Sequence, residues 1–102
     1  VSLGVVVSDS VGRAWRLGTV GLAIGAAGIP SLIDQRGDLD MNGRVLQVTE
    51  TAFADSVAGA AVMVMGEAAE GTPAALVRGL RWTAPEKPAR ALVRNKHEDM
   101  FR

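Results

Sequence analysis

The pattern of apolar and polar positions predicts a strand, a turn and a second strand in the first quarter of the chain. A continuous apolar run at residues 3–7, rich in β-branched valine, is typical of a strand buried on both faces. Small polar residues follow at 8–10, before Gly12, and predict a turn at the sheet edge, where ligands often bind. Small residues at 19–24, bounded by glycines, predict the second strand.

Shorter runs and turn residues predict the remaining elements. Three further strands are expected where the runs are apolar or alternating, at residues 31–33, 44–49 and 74–77. Polar or proline-bearing connections are expected at residues 34–43, 67–73 and 82–88. A short helix at 89–93 and a charged tail at 95–102 complete the chain.

The clearest element is a helix predicted over residues 50–65. Its apolar side chains recur every three or four residues, at Phe53, Val57, Ala60, Ala61 and Val64. Thr49 is a suitable N-cap, Gly66 has the position of a C′ glycine, and the many alanines favour close packing. We therefore predict an α+β fold, with this helix packed on a mixed sheet of strands that begin near residues 3, 19, 44 and 74.

The composition limits the core that this chain forms by itself. Of its 102 residues, 48% are hydrophobic but only 4% are aromatic, and much of the apolar fraction is alanine and valine. Such a thin core favours packing against further protein, either a missing segment or a partner. The chain also opens inside an apolar run without an initiator methionine, so we expect it to be part of a longer protein.

Charge and side-chain inventory disfavour several classes of function. Lysine plus arginine number 11, as do aspartate plus glutamate, and a chain without net charge is a poor nucleic-acid binder. The absence of cysteine excludes disulfides and thiolate metal sites and permits a reducing environment, so we predict a cytoplasmic location. With His97 as its one histidine, the chain is a poor match for a Ser-His-Asp triad or a histidine-rich zinc site.

One uncharged stretch, residues 17–33, leaves a membrane-associated peptide open as a rival interpretation. It is short for a membrane-spanning helix, which usually needs about 20 residues. It also contains four glycines and a proline, which are unfavourable inside a helix. Closely packed strands and turns are therefore the preferred interpretation, and recovery of the chain without detergent would exclude the rival.

Two polar groups are candidates for chemistry. Asp9 and Ser10 offer a carboxylate and a hydroxyl after a strand, and Mg²⁺ and Mn²⁺ prefer such oxygen ligands. The alternative is an Asx turn that only closes the strand. Glu67 and Glu70 lie after the helix, where the negative end of the helix dipole favours a bound cation. The alternative there is an ordinary connecting loop.

Short motifs follow one another in a specific order along the chain. The two longest are VVVSDSVGRAWR at residues 5–16 and GTVGLAIGAAG at 18–28. Shorter ones are DMNGR at 40–44, VTE at 48–50, AD at 54–55, VMGE at 64–67, VRG at 77–79 and EDMFR at 98–102. No single block is decisive, but the ordered set covers nearly the whole chain. It resembles the C-terminal portion of the coenzyme F-420 γ-glutamyl ligases.

The resemblance implies a ligase reaction. Members of this family join the amine of L-glutamate to the terminal carboxylate of the deazaflavin F-420 precursor, and then add further glutamates by γ-linkage. GTP drives the reaction by phosphorylating the acceptor carboxylate to an acyl phosphate, which the glutamate amine attacks. Divalent metal, Mg²⁺ or Mn²⁺, offsets the charge on the phosphate oxygens, and K⁺ is an additional candidate ion. The resemblance also implies a homodimer, without nucleic-acid or membrane partners.

The resemblance also assigns site residues. It implies that Asp9 and Ser10 bind divalent metal; many relatives have threonine at the position of Ser10, which keeps the hydroxyl. It implies a third metal ligand at Glu67 and a GTP-binding segment after the helix. That segment comprises Met65, Gly66, Glu67, Ala68, Ala69, Glu70, Gly71 and Thr72. No residue of the chain is expected to act as a catalytic nucleophile or base.

The resemblance identifies residues 1–102 as the C-terminal part of a ligase domain. Family members carry a further N-terminal part, which supplies another metal-binding aspartate and part of the nucleotide site. Because the sequence starts after that part, we expect weak or no ligase activity from the chain by itself. The rival hypothesis is a non-catalytic structural fragment or subunit that needs a partner half, and a compact, stable monomer would contradict it.

Overall fold

The computed structural model describes residues 3–66 and 71–95. Their regular elements are the strands β1 (Val5–Arg13), β2 (Arg16–Ala27), β3 (Ile33–Asp34) and β4 (Glu50–Thr51), the helix α1 (Phe53–Met65) and a 3₁₀ helix at Ala89–Leu92. The predicted α+β class is confirmed. In the described residues β1 pairs with β2 and β3 with β4, both antiparallel, so the parallel pairs that a mixed sheet requires are not found there.

The main structural unit is the β1–β2 hairpin, whose strands are connected through Ala14 and Trp15. Trp15 has a φ of 60°, which is the left-handed conformation that a two-residue connection often requires. The strand predicted at residues 19–24 is confirmed and is longer than predicted. The turn predicted at 8–12 is wrong, because β1 continues through Arg13. Small polar residues remain compatible with a strand here because β2 is long enough to pair with them and most of them face solvent.

Burial of β1 also differs from the prediction. Val5 and Val7 are 63% and 54% exposed, so a strand buried on both faces is wrong for this chain. The two-stranded hairpin has too few neighbouring elements to cover both faces of β1, since α1 packs mainly against β2.

Residues 33–51 form a second, irregular hairpin, which we call the arm. Beyond the β3–β4 pair, the Gln35 N–H donates to the Thr49 carbonyl over 3.0 Å, and Leu39 forms an isolated bridge with Val45. At its tip the Asp40 carboxylate accepts the backbone N–H of Asn42 at 2.8 Å and that of Arg44 at 2.9 Å. The strand predicted at 31–33 is found slightly later, as β3 at Ile33–Asp34. Of the strand predicted at 44–49 only the bridge at Val45 is present, and the regular strand β4 begins after it, at Glu50.

Helix α1 begins three residues later than predicted. Glu50 and Thr51 form β4, so the N-cap is Ala52, and no side chain caps the helix; the predicted cap at Thr49 is wrong. The C-terminal prediction is confirmed. Gly66 has a φ of 74°, and its N–H donates to the Val62 carbonyl at 2.8 Å.

The face of α1 that packs on β2 is formed by its smallest side chains. Ala54 and Ala58 are buried, whereas Val64, one of the five periodic residues, is 70% exposed. The predicted close packing is confirmed at Gly21: a Cβ there would lie 2.7 Å from the Ala58 carbonyl oxygen. Of the other periodic residues Phe53, Val57 and Ala61 are half-buried and Ala60 is exposed. The periodicity includes exposed positions because α1 is apolar on nearly all sides, with Asp55 and Ser56 as its only polar side chains.

Residues 71–88 cross the molecule without regular secondary structure. The strand predicted at 74–77 is wrong, and residues 71–81 are all exposed. The connection at 82–88 and the short helix near 89–93 are confirmed. This segment is attached where Lys87 N–H donates to the Ile29 carbonyl at 3.3 Å and Ser31 Oγ to the Pro88 carbonyl at 2.7 Å. The rings of Phe53 and Trp82 also meet edge to face, with centroids 5.7 Å apart.

The uncharged stretch at residues 17–33 forms β2 and the turn after it, as the preferred interpretation predicted. Within residues 3–66 and 71–95, no helix is long and apolar enough to cross a membrane. The charged tail predicted at 95–102 lies outside the described residues, apart from Asn95.

Candidate functional site

Asp9 and Ser10 lie in the middle of β1, where Asp9 pairs with Leu22 and Ser10 with Gly21. Consecutive strand residues point to opposite faces, and directly paired residues share a face. Because Gly21 faces Ala58 of α1, Ser10 lies on the α1 side of the hairpin. Asp9 therefore lies on the opposite side. One strand thus presents two oxygen donors to two faces, rather than gathering both in one turn.

The carboxylate of Asp9 makes a local hydrogen bond. Its Oδ1 accepts the backbone N–H of Ser10 at 2.8 Å, and both residues are exposed. This bond resembles the local contact expected of an Asx turn, but it forms within a strand. A carboxylate has about four lone-pair positions, so one such bond leaves room for further ligands.

The predicted nucleotide segment begins where α1 ends. Met65 is the last residue of the helix and is half-buried, Gly66 terminates it, and Gly71 and Thr72 are exposed in the segment that follows. Glu67, Ala68, Ala69 and Glu70 lie outside the described residues. The metal role of Glu67 and the GTP contacts of this segment therefore stay predictions.

A cavity of about 820 Å³ connects the end of α1 with β1. Ser8, the residue before Asp9, lines it on one side, and Met65 lines it on another. The chain at residues 73–80 forms a further wall. Ser8 pairs with Ala23, two positions from Gly21, so Ser8 and Ser10 lie on the same face of β1 as the cavity. The structure thus brings the hydroxyl side of the strand and the start of the predicted nucleotide segment to one side of the hairpin.

The donor atoms of this region fit a hard divalent cation in type, although they are few. Asp9 and Ser10 supply oxygen, which Mg²⁺ and Mn²⁺ prefer. Among residues 3–66 and 71–95, no group of three histidine, cysteine, aspartate or glutamate side chains could hold a metal ion. A complete coordination shell at either residue would therefore need further donors, from Glu67, from a phosphate, from water or from further protein.

Asp55 is the only charged residue of α1, and the sequence pattern predicts no role for it. Its Oδ1 accepts the backbone N–H of Ala23 in β2 at 2.9 Å, across 32 positions of sequence. The available signal was a lone carboxylate in the first turn of an otherwise apolar helix, which is typical of a residue with a specific hydrogen-bond partner.

An ion pair between Asp34 and Arg36 lies in the arm. Arg36 Nη2 and Asp34 Oδ2 form an ion pair of 2.7 Å, and Asp34 Oδ1 also accepts the side-chain Nε–H and the backbone N–H of Arg36. The Arg36 hydrogen bonds hold the pKa of Asp34 well below its usual range, and they raise the pKa of Arg36 above its own.

Comparison with known proteins agrees with the order of motifs in the chain. Residues 1–79 match the family model described as "F420-0:Gamma-glutamyl ligase". A protein named "Coenzyme F420:L-glutamate ligase" from Methanopyrus kandleri is 50% identical over 107 aligned positions, which cover 100% of this chain and 42% of that protein. Proteins of the same name from Methanocaldococcus jannaschii and Methanothermobacter thermautotrophicus are 49% and 42% identical, each over 98% of this chain and 40% of their own length. The chain thus spans about two-fifths of these relatives, and it belongs to the F420-0:gamma-glutamyl ligase family.

Proposed function

We propose that this chain supplies part of the metal and GTP site of a ligase that joins L-glutamate to the F-420 precursor. The observation that supports this proposal most strongly is 40–50% identity, over nearly the whole chain, to proteins named coenzyme F420:L-glutamate ligase. The placement of Ser10 and Met65 on one side of the hairpin supports the same assignment.

The proposed reaction has two steps. A carboxylate oxygen of the precursor attacks the γ-phosphorus of GTP, the bond to the β-phosphate oxygen breaks, and GDP leaves. The glutamate amine then attacks the carbon of the resulting acyl phosphate. The amide forms as the carbon–oxygen bond to phosphate breaks, and inorganic phosphate and a proton leave. Neither step requires a covalent bond to the protein.

In this proposal the chain binds and orients rather than reacts. Mg²⁺ or Mn²⁺, with K⁺ as a further candidate, would offset negative charge on the phosphate oxygens. Ser10 would contribute an oxygen donor on the α1 side, and Asp9 would contribute its carboxylate on the other side of β1. Glu67 would be the third ligand. The segment from Met65 to Thr72 would hold the nucleotide, and the negative end of α1 favours a cation between helix and phosphate.

Activity is expected from the chain only together with the remaining part of such a ligase. The chain spans 40–42% of the relatives, so most of the enzyme lies outside it. Several large apolar side chains are exposed on β1 and in the arm, such as Val5, Leu39 and Val48, and they offer surface for that part. We also propose a homodimer and a cytoplasmic location, both on the basis of the family.

A complementation assay tests the proposed function. The chain is mixed with the N-terminal three-fifths of the Methanopyrus kandleri relative, then with precursor, GTP, Mn²⁺ and L-glutamate. We expect glutamate-dependent release of GDP and phosphate only when both polypeptides are present. The Asp9→Asn variant should lose about 100-fold or more in rate, because the Asp9 carboxylate would help to bind the metal that offsets phosphate charge in the transition state. Asp38→Asn in the arm should keep the wild-type rate.

Two results would contradict the proposal. Full activity of Asp9→Asn would remove the metal assignment at that residue. No turnover with wild-type chain, despite formation of a complex between the two polypeptides, would favour the alternative of a non-catalytic structural fragment or subunit.

A further inference from the structure

The contact between Asp55 and Ala23 links the first turn of α1 to the middle of β2. The carboxylate oxygen and the backbone nitrogen are 2.9 Å apart, in a partly buried position. Ala23 lies next to Leu22, the strand partner of Asp9, and two positions from Gly21, the strand partner of Ser10. The hydrogen bond therefore joins the helix to the part of the hairpin that carries the two predicted metal ligands.

A second contact fixes the same helix three residues further on. The backbone of Ala58 lies against Gly21, where a Cβ would come within 2.7 Å of the Ala58 carbonyl oxygen. The two contacts are separated by about 4.5 Å along the helix axis and about 7 Å along the strand. The Ala54 N–H also donates to the Ser31 carbonyl at 3.1 Å, but that bond lies outside β2. The Asp55 and Ala58 contacts are the two of these that fix the register and the direction of α1 on β2 itself.

The fixed helix determines where the predicted nucleotide segment begins. Met65 ends α1 and lines the cavity beside β1, so any rotation of α1 on β2 would move Met65 and Gly66 relative to Ser10. We infer that Asp55 is a positioning residue, whose hydrogen bond to Ala23 sets the distance between the nucleotide segment and the metal-binding strand. The role of the nucleotide segment in this inference rests on the proposed function, whereas the positioning of α1 on β2 by Asp55 does not.

Three variants separate position from charge. Asp55→Asn keeps an oxygen acceptor at the same place but removes the negative charge near the helix N-terminus. Asp55→Ala removes both. Ser56→Ala is the matched control, because Ser56 is the next residue of α1 and is exposed, and its hydroxyl donates to the Ala52 carbonyl at the start of the same helix.

The first measurement is amide NMR on the full chain, which needs no ligand. In Asp55→Ala we expect hydrogen exchange of the Ala23 amide to rise by about tenfold, with shifted amide signals at Gly66 and Ser10. Asp55→Asn should retain most of the Ala23 protection and the wild-type signals, and Ser56→Ala should match the wild type. Unchanged Ala23 exchange in Asp55→Ala, or unmoved Gly66 and Ser10 signals, would overturn the inference.

The second measurement is GTP kinetics in the two-part enzyme of the complementation assay. A misplaced nucleotide segment should raise KM for GTP by about tenfold or more in Asp55→Ala, with a smaller effect on KM for glutamate, and Asp55→Asn should recover most of the loss. Equal effects on both KM values, or no rescue by asparagine, would reduce Asp55 to a stabilising residue. If the wild type shows no GTP-dependent turnover, the proposed function fails. The amide data still test whether Asp55 positions α1 on β2.

Discussion

At the scale of single residues, the face of the strand on which a side chain lies decides which ligands it can contact. Asp9 and Ser10 are neighbours in sequence but face opposite sides of β1, because the strand pairs without interruption from Ser8 to Val11. A single ion bound by both side chains would have to lie at the strand edge. The placement of Met65 on the Ser10 side favours the hydroxyl, rather than the carboxylate, as the direct neighbour of the segment that we propose binds the nucleotide.

Asp34 provides a residue-level prediction on pH. Because Arg36 hydrogen bonds depress the pKa of Asp34 in the folded chain, the ion pair contributes stability at pH values above the unfolded pKa. That contribution is lost as the pH falls through the lower, folded pKa. In a carboxyl ¹³C titration we therefore expect Asp34 of the folded chain to remain ionised at pH values where the same residue of the urea-unfolded chain is already protonated.

The Arg36→Ala variant is the control for this titration. It removes the guanidinium but keeps the backbone N–H that also bonds to Asp34 Oδ1 at 3.0 Å, so the midpoint should rise without reaching that of a free aspartate. If Asp34 of the unmodified chain titrated at the same pH in the folded and the unfolded state, the ion pair of the arm would not persist in solution.

At the scale of elements, the contact between α1 and β2 depends on the absence of a side chain at Gly21. The backbone of Ala58 occupies the place of the missing Cβ, and backbone atoms cannot move aside as a flexible side chain can. Ala54 and Ala58 are small enough to be buried in the same contact. The helix therefore approaches the strand more closely than larger side chains would allow.

Substitution of Gly21 by alanine should force α1 away from β2. We expect a loss of about 1–3 kcal/mol in the free energy of unfolding, the usual effect of overpacking, measured by urea denaturation of the chain. Gly12→Ala in β1 is the matched control, because a Cβ there meets nothing within 4 Å. Equal midpoints for both variants would show that the close approach of α1 to Gly21 is not required.

The elements that the sequence predicted correctly are those with strong local signals. The β1–β2 strands, the body and end of α1, and the short helix near Ala89 follow from β-branched runs, helical periodicity and Gly66. Pairing of these residues with another strand explains the errors. β2 extends β1 beyond the polar residues 8–10, and β4 takes up Glu50 and Thr51, which were predicted as the first helical turn.

The candidate site was less predictable than the fold. The residue types of Asp9 and Ser10 indicate a preference for a hard cation, but their opposite faces follow only from the strand pairing. The apolar run at 74–77 has strand propensity, yet a strand needs a partner, and none of the described elements pairs with it. The lone carboxylate of Asp55 signals a hydrogen-bond partner, but that partner, Ala23, lies 32 positions away and no local pattern identifies it.

At the scale of the whole molecule, the chain has a small core for its length. In the described residues the buried hydrophobic side chains are Ile29, Ala54 and Ala58, while many larger ones are exposed. The chain spans about two-fifths of its relatives, and the exposed apolar side chains are what the proposed packing against further protein requires. The hairpin and α1 form the best-connected part of the described chain, and they hold the candidate site.

The central claim is that the Ser10 region of β1 and the end of α1 border one metal–nucleotide site. Paramagnetic broadening by Mn²⁺ in the presence of GTP tests it most directly, with ¹⁵N-labelled chain bound to the N-terminal part of a relative. We predict that the amide signals of Ser10, Gly66 and Gly71 broaden together at substoichiometric Mn²⁺, while Asp38 and Asn42 in the arm stay sharp. Broadening confined to the arm, or sharp Ser10 and Gly66 signals at saturating Mn²⁺ and GTP, would contradict the claim.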